Sequence, residues 1–184
     1  MHLTMDRYNS DWNIVKRGWY AHVLGEVDAG DITPKYSGYF KSAKEAIECA
    51  RTNFPDKQDQ FNPAFVIVDA KGAPIGKMQD GDAVINFNFR GDRAIQISQA
   101  FLQDDKQFTA FDRKQRPKVT YAGLLEYDSE AKLPPKYLVP PPSIQNVVGQ
   151  FLAGSGVNTY ALAETHKYGH VTYFWNGNKS GLIN

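Results

Sequence analysis

The sequence predicts an α/β fold: a mostly parallel or mixed sheet with helices on both faces, in a single domain. Three observations carry that prediction. Short β-branched runs alternate with stretches whose apolar residues recur at three- and four-residue steps. One run, Ala83-Val-Ile-Asn-Phe-Asn-Phe89, is apolar on both faces, as a central strand covered by helices should be. Glycine and proline cluster between these segments and hardly interrupt them.

The first helix is expected after Asn9-Ser10-Asp11, which offers capping side chains. Trp12, Val15, Trp19, His22 and Val23 then share one face down to Gly25. Residues 27–39 read as a loop. A second helix spans 42–54, with Ser42 as its cap and Glu45 completing a capping box, and Pro55 ends it. Phe65-Val-Ile-Val68 reads as a strand closed by the turn at Asp69-Ala-Lys-Gly72. After the strand at 83–89, Asp92 is expected to cap a helix over 93–102 that buries Ala94, Ile95, Ile97, Ser98 and Phe101. Strands follow at 118–127 and 158–163, with an amphipathic helix over 143–153 between them and Gly154 and Gly156 past its end. Residues 133–142 hold five prolines and form an extended connection.

The 184 residues suit one domain, and a 42% hydrophobic content allows a real core. Lys and Arg number 21 against 20 acids. That balance excludes the broad basic field of a nucleic-acid groove or an anionic-membrane binder. Any anion must therefore be caught by local arginine geometry. A lone cysteine, Cys49, excludes an intrachain disulfide and a multi-cysteine metal cluster. No run approaches the roughly 18 apolar residues of a membrane helix, and Met1-His-Leu-Thr-Met5 has no signal-peptide pattern. A cytoplasmic protein without membrane or nucleic-acid partners is the expectation.

In α/β sheets, anions bind beyond the carboxyl ends of strands, beside helix N-termini. There the sequence places Phe89-Arg90-Gly91-Asp92-Arg93. A guanidinium can hold a carboxylate or phosphate through two parallel hydrogen bonds. Both arginines could instead pair with Asp80, Asp82 or Asp92, and spacing alone leaves those alternatives even. Glu164-Thr-His-Lys-Tyr-Gly-His170 follows the last expected strand. His166 and His170 stand four apart, but no matching third ligand is evident, so a structural role is favoured over a metal site. Lys167 is a candidate anion contact. Met5-Asp6-Arg7-Tyr8 carries no signal by itself.

Together, several segments resemble the cofactor-independent phosphoglycerate mutase family. They include Thr4-Met-Asp-Arg-Tyr8, Val15-Lys-Arg-Gly-Trp19, Phe65-Val-Ile-Val-Asp69, Asp80-Gly-Asp-Ala-Val84 and Phe87-Asn-Phe-Arg-Gly-Asp-Arg93. Phe111-Asp-Arg113, Tyr121-Ala-Gly123, Lys167-Tyr-Gly-His-Val-Thr172 and Phe174-Trp-Asn-Gly-Asn178 continue the series in family order. The wording is similar to the plant and trypanosomatid branch. The resemblance implies an isomerase exchanging 3-phosphoglycerate and 2-phosphoglycerate through a phosphoserine, in glycolysis and gluconeogenesis. It implies two divalent metal ions in the full enzyme, manganese or else magnesium or cobalt, and none on this chain. Residues 1–184 would be part of the inserted substrate-binding domain, truncated at its start, with the metal-bearing phosphatase-like domain absent. Carried over by motif, the substrate contacts are Arg7, Arg90, Arg93 and Lys167. With no catalytic residue of its own, this polypeptide alone is expected to be inactive. The full enzyme would be a monomer, whereas an exposed edge would leave the shorter chain open to self-association. A non-catalytic anion-binding module and a degenerate structural fragment are the alternatives.

Overall fold

A computed structural model describes residues 4–7, 11–179 and 181. Helix α1 (Trp12–Trp19) begins where expected, because the Asp11 side chain accepts a hydrogen bond from the Asn13 amide at 2.9 Å. Asn9 and Ser10, the other capping candidates, lie outside the described residues, as does Tyr8. The helix passes into a π-helical turn, Tyr20–Leu24, and stops at Gly25, which takes the left-handed conformation with φ 66°. Strand β1 (Tyr39–Phe40) precedes α2 (Ala43–Asn53). The Ser42 hydroxyl accepts from Glu45 N at 3.2 Å, and Glu45 Oε2 reaches back to Lys41 N at 3.0 Å. Strands β2 (Val66–Ile67) and β3 (Ala83–Asn86), helix α3 (Ile95–Leu102) and strand β4 (Thr120–Gly123) follow. Helices α4 (Val148–Gly154) and α5 (Tyr168–Val171) come last.

Strands β1 and β2 pair in parallel with α2 between them in sequence. Strands β3 and β4 pair in parallel with α3 between them, in the register Ala83↔Thr120 to Asn86↔Gly123. Parallel neighbours need such a crossover, since a tight hairpin cannot return the chain to the same end. The α/β class with parallel pairing is therefore what the alternation of segments predicts.

The main core lies where α1 and its π turn meet α3 and β4. Trp19 is fully buried, 4.8 Å between ring centroids from Phe101, and Phe101 stacks on Tyr121 at 4.9 Å. The indole also donates to the Arg113 carbonyl at 3.1 Å, so burial leaves its N–H satisfied. Arg113 itself is buried: its guanidinium donates to the carbonyls of Ala100 and Gln103 at the end of α3 and pairs with Asp105. A smaller cluster of Tyr36, Phe40, Ala46 and Ala50 packs under α2.

Several elements differ from expectation. The strand predicted over 83–89 pairs only as far as Asn86, and Phe87 and Phe89 stand nearly 80% exposed, at 79% and 77%. The strand predicted over 118–127 shortens to β4 because Tyr127 folds back, donating through its hydroxyl to Asn86 O at 2.5 Å. Helix α4 starts at Val148 instead of 143, after Asn146 takes a left-handed φ of 56° that no helix interior tolerates. No strand forms over 158–163, where Tyr160 and Leu162 are exposed: strand propensity needs a neighbour to pair with, and none is present among the described residues. Asp92 does not cap α3, whose N-cap is Ala94 with no side-chain hydrogen bond.

Trp19→Ala should cost about 3–5 kcal/mol, because it empties the centre of the core and removes the indole donor. Urea denaturation followed by fluorescence of the remaining tryptophans checks this, and a cost below about 1 kcal/mol would place the core elsewhere.

Candidate anion-binding site

Beyond the carboxyl end of β3, the chain runs through Phe87–Arg93 to α3. This segment is anchored at its start by a buried polar chain. The Asn86 amide donates to the Tyr121 hydroxyl at 3.2 Å, and that hydroxyl lies 2.8 Å from Ser98 Oγ on α3. Burial pushes the Tyr121 hydroxyl up to about 12, so it stays protonated and keeps both contacts at neutral pH. Within the segment, Asn88 Nδ2 donates to Arg90 O at 2.7 Å.

Asp92 is the centre of the site. Its side chain is only 5% exposed, and Oδ2 lies 3.1 Å from Arg90 Nη2 and 3.8 Å from Arg7 Nη1. One carboxylate thus holds two guanidinium groups that come from opposite ends of the first hundred residues. Arg90 remains more than half exposed and Arg7 about one-quarter exposed. Arg93 is half-buried and donates through Nη1 to the Met5 carbonyl at 2.6 Å. Burial, then the like charge of Arg7, push the Arg93 pKa below its ordinary value, while Asp92 and Asp6 oppose that shift. A guanidinium stays protonated regardless.

The segment that carries Arg7 is fastened from several sides. Gly18 of α1 lets the Thr4 carbonyl press against the helix, where a Cβ would stand 2.1 Å from that oxygen. Asp6, 5% exposed, accepts through Oδ2 from Asp11 N at 2.7 Å and from Gln96 Nε2 at 3.2 Å. Gln96 is itself buried, and its Oε1 has no hydrogen-bond partner. Such an orphaned acceptor costs about 1–3 kcal/mol.

Of the four cations singled out from sequence, Arg7, Arg90 and Arg93 gather around Asp92. Lys167 does not join them by any hydrogen bond or ion pair among the described residues. It is exposed in the 3-10 turn Thr165–Lys167 that leads into α5. His166 and His170 are exposed, and the His170 ring packs edge-on against Phe174 at 5.4 Å. Among the described residues no three His, Cys, Asp or Glu side chains gather as a metal site would require. Sequence reasoning missed Asp6, Gln96 and the central place of Asp92. The signal for Gln96 was available: it is a polar residue inside the apolar stripe of α3, three positions after Arg93.

The architecture is of the parallel α/β class, with cations gathered at a strand's carboxyl end, where that class carries its ligands. Residues 1–129 match the family described as the N-terminus of BPG-independent phosphoglycerate mutase. A probable 2,3-bisphosphoglycerate-independent phosphoglycerate mutase of Leptospira interrogans is 54% identical over 183 residues, all of this chain and 31% of that protein. The corresponding Prunus dulcis enzyme is 52% identical, again over all of this chain and 35% of its own length. Among solved structures, a Leishmania mexicana phosphoglycerate mutase at low cobalt concentration is 49% identical with a TM-score of 0.86, covering 100% of this chain and 31% of that one. The chain belongs to the 2,3-bisphosphoglycerate-independent phosphoglycerate mutase family. It spans about a third of the length of the relatives it matches.

Asp92→Asn should leave Arg7 and Arg90 facing each other without their shared counter-charge. The expected loss is about 1–3 kcal/mol of stability at low ionic strength, partly recovered when inorganic phosphate is added. Equal urea midpoints with and without phosphate would show that the arginines do not present a common anion site.

Proposed function

We propose that this segment is the substrate-gripping part of a mutase that exchanges 3-phosphoglycerate and 2-phosphoglycerate in the cytoplasm, in glycolysis and gluconeogenesis. The observation that carries the reading is the convergence of Arg7, Arg90 and Arg93 on Asp92. A phosphoglycerate brings a carboxylate and a phosphate on three carbons, so it needs several fixed donors close together. Guanidinium forks suit both groups. The exposed edges of Arg7 and Arg90 would meet the anion, with Arg90 exchanging its contact to Asp92 for one to substrate. Lys167 is assigned as a fourth contact on the strength of the Lys-Tyr motif.

Phosphoryl transfer passes through a loose transition state, so the protein's part is mainly positioning and charge stabilisation. In this reading a serine and two divalent metal ions, manganese or else magnesium or cobalt, belong to the remaining two-thirds of the enzyme. The arginines hold the glycerate while it turns, so that the phosphoryl group returns to the other oxygen. This segment alone is then inactive, and the complete enzyme works as a monomer.

The test is Arg90→Ala in the full-length enzyme. Turnover should fall by about 10²–10³ with metal content unchanged, measured by coupled assay and metal analysis of the same preparation. Wild-type turnover in that variant would remove Arg90 from the site.

A further inference from the structure

Gln96 is 2% exposed on the buried side of α3, alongside Ser98, Ala100 and Phe101. An amide is a poor choice for that position on packing grounds, since methionine or leucine would fill a similar volume without an orphaned oxygen. What only the amide supplies is a donor to Asp6, 90 residues away in sequence. Two grips from the α3 region therefore hold the Met5-Asp6-Arg7 peptide. Arg93 holds the Met5 carbonyl at 2.6 Å, and Gln96 holds the Asp6 carboxylate at 3.2 Å. The next residue, Arg7, is the one that reaches Asp92. The position of the Arg7 guanidinium relative to Arg90 is thus set by the peptide that Gln96 and Arg93 clamp.

We propose that Asp6 and Gln96 are positioning residues whose hydrogen bond keeps Arg7 in register with Arg90 and Arg93 around the bound anion. The inference rests on the mutase reading above and adds two buried side chains that touch no substrate themselves. A retained polar pair with one unsatisfied end is a departure from good packing of the kind that functional sites keep.

The experiment uses the full-length, metal-loaded enzyme with 3-phosphoglycerate as substrate. Gln96→Met should raise KM about tenfold, with kcat within about threefold of the parent and a thermal midpoint unchanged or higher. An unaltered KM in Gln96→Met overturns the proposal. So does a KM rise matched by falls in kcat and thermal midpoint, or loss of the folded signal by circular dichroism, because each marks a purely structural role. An active parent with a normal Gln96→Met variant sinks this inference alone, whereas a parent with no mutase activity sinks the functional reading beneath it as well.

Discussion

Three guanidinium groups placed close together repel one another, and they persist only where negative charge stands between them. In this protein that charge is Asp92, almost wholly enclosed, with Arg90 and Arg7 on the same carboxylate oxygen. Arg93 lies in the field of both arginines and of Asp92 and Asp6, and it donates through Nη1 to the Met5 carbonyl. The cluster is therefore self-neutralised in part. Its two outer arginines share the Asp92 carboxylate, and its inner one ties the separate peptide segments together.

That cluster depends on elements that look unrelated to it. Helix α3 runs directly from the arginine-bearing turn into the core, where Phe101 is wedged between Trp19 and Tyr121. Its far end is closed by two arginines: Arg113 binds the carbonyls of Ala100 and Gln103, and Arg116 binds those of Phe101 and Leu102. Those interactions satisfy acceptors that a helix terminus leaves unpaired. The same residue type thus does two jobs at the two ends of one helix. At the N-terminal end the arginines face outward around a buried carboxylate, and at the C-terminal end they turn inward onto carbonyls.

Several large apolar side chains stand exposed. Ile85, Phe87 and Phe89 alternate along β3 and its extension, all more than half exposed. Tyr160, Leu162 and Trp175 are similarly open in the last thirty residues. The chain spans about a third of its relatives' length. Among the described residues no helix is long and apolar enough to cross a membrane.

Sequence alone determined those features whose causes are local or are written as motifs. Asp11 and Ser42 cap their helices through hydrogen bonds to amides two or three residues on, whereas α3 starts at Ile95 instead of 93 and buries Gln96 and Ala100 with Ser98 and Phe101, leaving Ile95 and Ile97 half-buried. The parallel α/β class followed from alternating segments, and the mutase family from motifs in order along the whole chain. Tertiary structure alone decided what depends on distant partners. It showed that Asp92 serves two arginines and caps no helix, that Gln96 meets Asp6, and that residues 158–163 find no strand to join. The physical reason is range. A cap or a helical stripe is settled within four residues, but an ion pair or a strand ladder exists only once the chain has brought its two halves together.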